Sequence, residues 1–259
     1  MRLGTRLFVT AILWAIAASF TATFGQIKGK VTLAGLPALA AGRPATKNPA
    51  LCGSMIVDES LVVGKKLELK NAVVFLANVR PDSLPPAEVT LEISKCVLRP
   101  HVAALLAGDR LVIENRDATL HHSRGYLRKF RPGWQGVVTQ DIFEDQATSV
   151  FNFAFPTAGA VAADTLRQPG LLEIRSEIGY DWMRACVLVL PHRFFTISNE
   201  KGEFSLERVP AGQYDLVLWH ERLGVKRQLV EVVRGEKTEL AIVWEISAPV
   251  AAPGDSLSP

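Results

Sequence analysis

The chain lacks a strong excess of charge of either sign, and this limits the partners that we expect it to have. Its 29 Lys and Arg residues are nearly balanced by 26 Asp and Glu residues, which gives a formal net charge of +3. A protein that binds nucleic acid through many phosphate contacts usually has a larger excess of Lys and Arg over Asp and Glu. We therefore expect no nucleic-acid partner.

Long apolar runs are also missing, apart from one short run near the N-terminus. The run from Leu7 to Phe20 follows Arg2 and Arg6 and precedes a few small residues, and it is shorter than the roughly 20 residues of a bilayer span. This pattern predicts a secretory signal peptide over 1–25 and a periplasmic or extracellular protein without a stable transmembrane span after leader removal. The alternative is an uncleaved N-terminal anchor.

Cysteine is scarce, with three residues in 259. Cys52 and Cys96 lie in loop-like or strand-edge contexts, whereas Cys186 lies in an apolar run that should be buried. Because an exported protein meets an oxidising compartment, we predict a disulfide between Cys52 and Cys96 and a buried free thiol at Cys186. Three free thiols in a reducing compartment are the alternative.

The familiar catalytic motifs are absent from the sequence. It has no G-x-S-x-G, no H-E-x-x-H and no glycine-rich phosphate loop, so we predict that the protein is not an enzyme. A hydrolase site assembled from scattered residues is a weaker alternative. We interpret His101, His192 and His220 as structural or surface residues because they lie at expected strand ends.

Short stretches of alternating apolar and polar residues dominate what is present, and no segment keeps an apolar period of 3.6. This pattern predicts an all-β fold of two β-sandwiches, with turns about every ten residues. We predict twelve strands, at 27–35, 71–77, 88–94, 110–116, 149–155, 170–176, 185–191, 194–199, 203–209, 213–220, 226–233 and 238–245.

One part of the sequence resembles a cupredoxin. It comprises the alternating strands around Gly108 and Asp109, with a histidine at position 121, followed by "FNFAFPTAG" and a Trp182-Met183 pair. The resemblance is to the plastocyanin-like, methylamine utilisation protein-like branch of exported cupredoxins. It implies a Greek-key sandwich with a copper site whose ligand positions correspond here to His121, Ser176, Gly179 and Met183.

Two of those four positions do not carry the expected ligand. Ser176 stands where the family has cysteine, and Gly179, or Tyr180 in a shifted alignment, stands where it has histidine. Blue copper requires a thiolate and two imidazoles, with methionine only a weak axial ligand. We therefore expect no cofactor and treat the four positions as vestigial.

An atypical metal site remains an alternative at these positions. His121 and Met183 would be joined by a neighbour such as Glu177, Tyr180 or Asp181, but His122 would point to the other face of any strand. Convergence of the side chains around Ser176, Gly179 and His121 with another imidazole or thiol, notably Cys186, would contradict the metal-free interpretation.

The flanking segments resemble the carboxypeptidase regulatory-like, or transthyretin-like, sandwich. "KGKVTLAG" and "NAVVFLA" occur early in the chain, while "FTISNEKGEFSLERVPAGQYDLVLWH" occurs late, with turn glycines at Gly202 and Gly212. We predict a discontinuous outer domain formed by 26–80 and 192–246. A cupredoxin-like domain over 81–191 is inserted into it, and a disordered tail follows at 247–259. Two consecutive domains are the alternative.

The segment 121–136 interleaves basic and aromatic residues and is predicted as a long loop. Cations and flat rings together favour binding of an anionic, sugar or protein partner. The candidate surface residues are His122, Arg124, Tyr126, Arg128 and Trp134. The alternative is a solvated excursion whose aromatic residues cover the sandwich.

The sequence thus predicts an exported, non-catalytic binding or scaffold protein with a protein or carbohydrate partner of unknown identity. The alternative is a periplasmic electron-transfer protein that binds copper or another metal at an atypical site.

Overall fold

The computed structural model describes residues 24–36, 42–81, 84–136 and 141–246, and within them the chain is almost entirely β-structure. The predicted tail and all but the end of the predicted leader lie outside the described residues. In the described part of the chain, no helix is long and apolar enough to cross a membrane.

Two sheets are formed by strands from the beginning and the end of the described chain, and we call them the outer sandwich. Its strands are β1 (Phe24–Leu33), β4 (Val73–Leu76), β14 (Phe195–Ile197), β15 (Glu203–Pro210), β16 (Gly212–His220), β17 (Gly224–Val232) and β18 (Lys237–Trp244). The strand orders are β15-β1-β18 and β14-β4-β16-β17. Strand β1 runs parallel to β18 and antiparallel to β15.

Two further sheets are formed only by strands between these, and we call them the inner sandwich. Its strands are β5 (Glu88–Ser94), β6 (Val97–Arg99), β7 (Val102–Leu106), β8 (Arg110–Asn115), β9 (His121–Lys129), β10 (Thr148–Phe155), β11 (Val161–Thr165), β12 (Gly170–Arg175) and β13 (Arg184–Leu190). The strand orders are β10-β9-β12-β13-β7 and β11-β8-β5-β6. Parallel pairs β5–β8 and β7–β13 are mixed with antiparallel ones.

A short segment between β1 and β4 packs on the inner sandwich, and we call residues 42–56 the strap. It contains β2 (Arg43–Pro44), the helix α1 (Pro49–Cys52) and β3 (Met55–Ile56). Cys52 and Ile56 are buried among the core residues of the inner sandwich.

The four sheets stack in layers, and strands β4 and β13 of the two central sheets are buried on both faces. In β4, Val74 and Leu76 face the outer core, whereas Val73 and Phe75 face the inner sandwich. This explains why β4 and β13 are continuous apolar runs, since a strand buried on both faces loses the alternation of a half-exposed one. The predicted fold class of two sandwiches, all-β, is confirmed.

Candidate functional site

His121 is the first residue of β9, and its side chain is completely buried. Its Nε2 donates a hydrogen bond to Asp117 Oδ2 at 2.9 Å, which fixes the tautomer because a carboxylate only accepts. Burial lowers the pKa of His121 below its ordinary value, although Asp117 opposes this shift. Within the described residues Nδ1 has no hydrogen-bond partner.

Asp117 also holds the turn that joins β5 to β6. The backbone N–H groups of Lys95 and Cys96 each donate to its carboxylate at 2.8 Å. Both turn residues have positive φ, 52° and 60°, a strained conformation for residues other than glycine. The buried carboxylate therefore stabilises this turn and orients the imidazole of His121.

The predicted disulfide lies at the same turn. Cys52 and Cys96 are bonded, with a Cα–Cα distance of 5.1 Å, so this prediction is confirmed. The bond joins the strap to the inner sandwich. Cys186 is a buried free thiol, as predicted.

The predicted vestigial positions lie in the connection from β12 to β13. Ser176 N–H donates to the carbonyl of Met183 at 3.1 Å, and Met183 N–H donates to that of Tyr180 at 2.8 Å. Gly179 has a φ of +84°, beside the Lys47 side chain. Ser176 and Met183 are buried.

Tyr180 provides the aromatic neighbour of His121. Its ring is buried and packs edge-on against the imidazole, with centroids 4.8 Å apart. Trp182 then packs edge-on against Tyr180 at 5.7 Å. The space beside the imidazole that the shifted alignment assigned to a second ligand is thus filled by a phenol ring.

Cys186 does not converge on His121. In β13, Ala185 and Val187 face the core of the inner sandwich, whereas Cys186 faces the outer sandwich. The cysteine whose sulfur does lie near His121 is Cys96. One ligand atom each of Cys96, Asp117 and His121 lies within 4.8 Å of the others, and all three residues are buried.

The strap covers this end of the inner sandwich through charged side chains. Lys47 Nζ lies 4.6 Å from the centroid of the Tyr180 ring and donates to the carbonyl of Ile178. Arg43 lies over the Trp182 ring at 5.9 Å and forms an ion pair with Asp181 at 3.0 Å. These contacts hold the strap in place in addition to the disulfide.

The predicted recognition loop is instead a strand over most of its length. Residues 121–129 form β9, which lies between β10 and β12 in the five-stranded sheet. Because side chains alternate, His121 points into the core, whereas His122, Arg124, Tyr126 and Arg128 point outward.

Two arginines from neighbouring strands join this outward face. In register, Arg175 of β12 lies between Arg124 of β9 and Arg184 of β13. The Arg175 guanidinium lies 4.2 Å from the Tyr126 ring centroid, and that of Arg124 lies 5.2 Å from it. We call the set the arginine–tyrosine face: His122, Arg124, Tyr126, Arg128, Arg175 and Arg184.

Carboxylates balance part of this positive charge. Glu177 accepts hydrogen bonds from the Tyr126 hydroxyl and from Arg124, which lower its pKa below the ordinary value. Arg128 pairs with Asp141 at 2.6 Å. Arg175 has no carboxylate within ion-pair distance in the described residues, so its guanidinium is the one available to a ligand.

Trp134 does not belong to this face, and its predicted role as a surface residue is wrong. Its side chain is 6% exposed and stacks on Phe130 at 4.5 Å. It also contacts Phe75 of the outer sandwich, with centroids 5.7 Å apart. Trp134 therefore packs between the two sandwiches.

The other histidines are buried and do not join this site. His101 forms a 2.6 Å hydrogen bond with Glu221, linking the inner sandwich to the outer one. His192 and His220 are buried as well, and their predicted structural interpretation agrees with this placement.

Comparison with solved structures finds cupredoxins as neighbours. The chain is similar to a purple cupredoxin from Nitrosopumilus maritimus, at 12% identity and a TM-score of 0.28, covering 39% of this chain and 98% of that one. It is similar to amicyanin from Paracoccus versutus, at 18% identity and a TM-score of 0.28, covering 45% and 96%.

A copper-containing nitrite reductase from Thermus scotoductus SA-01 is also similar, at 15% identity and a TM-score of 0.28. That match covers 44% of this chain and 25% of the reductase chain, so it spans only a quarter of that enzyme. These values carry no conclusion about activity. Neither a protein-family model nor a curated protein matches the chain.

Proposed function

We propose that this is an exported, non-catalytic binding or scaffold protein whose inner sandwich is cupredoxin-like and has lost blue-copper ligation. The observation that supports this most directly is the buried Tyr180 ring packed edge-on against His121. A blue-copper site would need a second imidazole at the place that this ring occupies.

The donor set of the oxidised protein does not fit blue copper. Ser176 offers a hydroxyl, and the nearest cysteine sulfur, in Cys96, is bonded to Cys52. Blue copper needs a free thiolate because the soft sulfur selects the metal and tunes its potential. His121 and Met183 would remain as the only two suitable groups.

Titration with Cu(II) or Zn(II) tests this part of the proposal. A ligand that binds only the folded state raises the unfolding temperature in a saturable way. We expect no saturable rise for the oxidised protein. A rise that saturates at one ion per chain and disappears in His121→Ala would contradict the proposal.

The arginine–tyrosine face supports a binding role. A guanidinium that already lies over an aromatic ring needs little reordering to bind a carboxylate or sulfate, and planar guanidinium groups bind such oxyanions in a bidentate manner. Arg175 lies within one register row of two further arginines. We propose that this face contacts an anionic carbohydrate.

Binding to acidic and neutral polysaccharides, measured by calorimetry, tests this role. We expect Arg175→Ala to weaken binding to an acidic polysaccharide about tenfold, equivalent to about 1.4 kcal/mol. Arg110→Ala is the matched control, because Arg110 is exposed on the other sheet and pairs with Glu88. Equal effects of both variants, or no binding by the wild type, would argue against this face.

A metal-dependent carrier is the second candidate function. Its support is the unpartnered Nδ1 of His121, since a metal-binding histidine typically donates its other ring nitrogen to a carboxylate, as His121 does to Asp117. Met183 is buried nearby in the same core. The metal titration described above separates the two candidates.

The predicted export and domain division remain part of the proposal. The Cys52–Cys96 bond suits an oxidising compartment, and the outer sandwich is proposed to be carboxypeptidase regulatory-like, with the inner one inserted into it. Fractionation of cells that express the natural full-length chain tests the location. Recovery in the cytoplasm with free thiols would contradict export.

A further inference from the structure

A buried cluster at the β5–β6 turn has the composition of a metal site, apart from the oxidation state of its sulfur. Ligand atoms of Cys96, Asp117 and His121 lie within 4.8 Å of one another. Cys52 is bonded to Cys96, so a second sulfur lies next to the Cys96 sulfur. Together these residues offer two sulfurs, an imidazole and a carboxylate.

In the oxidised protein neither sulfur is available as a strong ligand, because thiolates rather than disulfides bind zinc tightly. We propose that reduction of the Cys52–Cys96 disulfide creates a Zn(II) site formed by Cys52, Cys96, His121 and Asp117. Two thiolates with one nitrogen and one oxygen ligand suit tetrahedral zinc. This site shares His121 with the vestigial copper positions but uses none of Ser176, Gly179 and Met183.

The reduction requires a dithiol as the electron donor. One dithiol thiolate attacks a disulfide sulfur, and its second thiol then resolves the mixed disulfide. Two electrons pass to the protein, the S–S bond breaks, Cys52 and Cys96 become thiols, and the dithiol becomes a disulfide. Binding of Zn(II) then releases the thiol protons to solvent.

The strap keeps the two thiols together after the bond is broken. Arg43 remains paired with Asp181, and Lys47 remains bonded to the carbonyl of Ile178. Leu51 and Ile56 pack on the inner core on either side of Cys52. Because these contacts do not depend on the disulfide, the Cys52 sulfur stays next to that of Cys96, which lies beside Asp117 and His121.

The imidazole faces this cluster through its Nε2 atom. That nitrogen lies 2.9 Å from Asp117 Oδ2, and His121 is completely buried. A metal ion bound by both residues would replace the proton that they share in the oxidised protein. The imidazole and the carboxylate are therefore already positioned on the same side as the Cys96 sulfur.

Cobalt(II) binding in place of Zn(II) tests the site, because a cobalt–thiolate bond gives a charge-transfer absorption band. All proteins carry Cys186→Ala, which removes the third thiol. We expect the reduced protein to bind one ion per chain with this band, and the oxidised protein to show none. His121→Ala in the reduced protein should weaken binding at least about 10–100-fold.

Matched single-cysteine variants test the two sulfurs without a reductant. Cys52→Ser keeps the Cys96 thiol, and Cys96→Ser keeps the Cys52 thiol. Because each variant retains one thiolate of the site, we expect a cobalt–thiolate band with both, weaker than that of the reduced protein, and no band when both cysteines are serine. No band in the reduced protein, or a band that persists in the double variant, would overturn the proposal.

A second measurement covers the case in which a variant does not fold. Reduced wild-type protein is alkylated with and without Zn(II), and the labelled cysteines are identified by mass spectrometry. Protection of Cys96 by zinc supports the site, and equal labelling contradicts it. Metal binding by the oxidised protein would instead contradict the proposed metal-free function, so the two failures are distinguishable.

Discussion

Buried histidines are the individual residues most sensitive to solution conditions. His220 is almost completely buried, and the backbone N–H of Arg222 donates to its Nδ1 at 3.2 Å. Burial lowers the pKa of His220 to about 4. The folded protein therefore holds this imidazole neutral at pH values where an unfolded chain would protonate it.

Acid should destabilise the protein partly through His220. The unfolded chain takes up a proton near the ordinary pKa of 6.5, and the folded state does so only near 4. The contribution is complete above pH 6.5 and is lost as the pH falls towards 4, at about 1.4 kcal/mol per pH unit, or about 3 kcal/mol in total.

Urea unfolding at several pH values measures this effect. We expect His220→Gln to flatten the decline in the free energy of unfolding between pH 6.5 and 4, because glutamine offers an acceptor that does not titrate. An unchanged slope in the variant would show that other groups carry the acid sensitivity.

Single elements are fixed by turns that fit closely against their neighbours. The turn between β14 and β15 packs on β1, where Val31 N–H donates to the carbonyl of Gly202 at 2.8 Å. Gly202 has a φ of +70°, and a Cβ there would lie 2.3 Å from the carbonyl oxygen of Val31. Backbone cannot yield as a flexible side chain can, so this position requires glycine.

Replacement of Gly202 by alanine should therefore lower the free energy of unfolding by more than the backbone strain of a positive φ alone. Gly235 is the matched control, since it has a φ of +75° but open space around its Cα. We expect Gly235→Ala to cost about 1–2 kcal/mol and Gly202→Ala at least about 1–3 kcal/mol more. Chemical denaturation measures both, and similar losses would contradict the close fit.

The sequence predicts elements well where one face is apolar and poorly where it is not. Each of the twelve predicted strands occurs, with bounds shifted by three residues or fewer. Strand β9 was missed because its inward residues are His121, Ser123, Gly125 and Leu127, which give little apolar alternation. Strand β7 was missed because its sequence, VAALL, has one β-branched residue and two alanines, which give a weak strand signal.

The candidate site was only partly predictable for a related reason. Asp117 and His121 are near neighbours in sequence, but Cys96 reaches them only through the β5–β6 turn. The row of Arg124, Arg175 and Arg184 depends on the register of three strands, which no local pattern specifies. Trp134 was assigned to the binding surface because an aromatic residue among charged ones is typical both of a binding surface and of an interface between domains.

At the scale of the whole molecule, a third apolar core joins the two sandwiches. Val73, Phe75 and Trp219 of the outer sandwich pack against Leu188 and Trp134 of the inner one. Arg227 of β17 adds polar contacts, since it donates to the carbonyls of Trp134 and Gln135. We therefore expect the two sandwiches to unfold together.

Trp134→Ala should uncouple them, because it removes the side chain that fills this interface. We expect a loss of about 3–5 kcal/mol and two calorimetric transitions where the wild type has one. Phe155→Ala is the control: Phe155 is equally buried but lies in the inner core alone, so its loss should leave a single transition. Two transitions already in the wild type would contradict the coupling.

The parallel pairing of β1 with β18 has a consequence for the order in which the protein takes shape during translation. During translation β1 is synthesised before the inner sandwich, whereas its two neighbours in the sheet, β15 and β18, are synthesised after it. Strand β1 therefore has no partner strand while the inner sandwich is being made. During that time its unpaired edge is open to other nascent chains. A fragment truncated after β13 would carry every inner strand and still expose an orphaned, aggregation-prone β1.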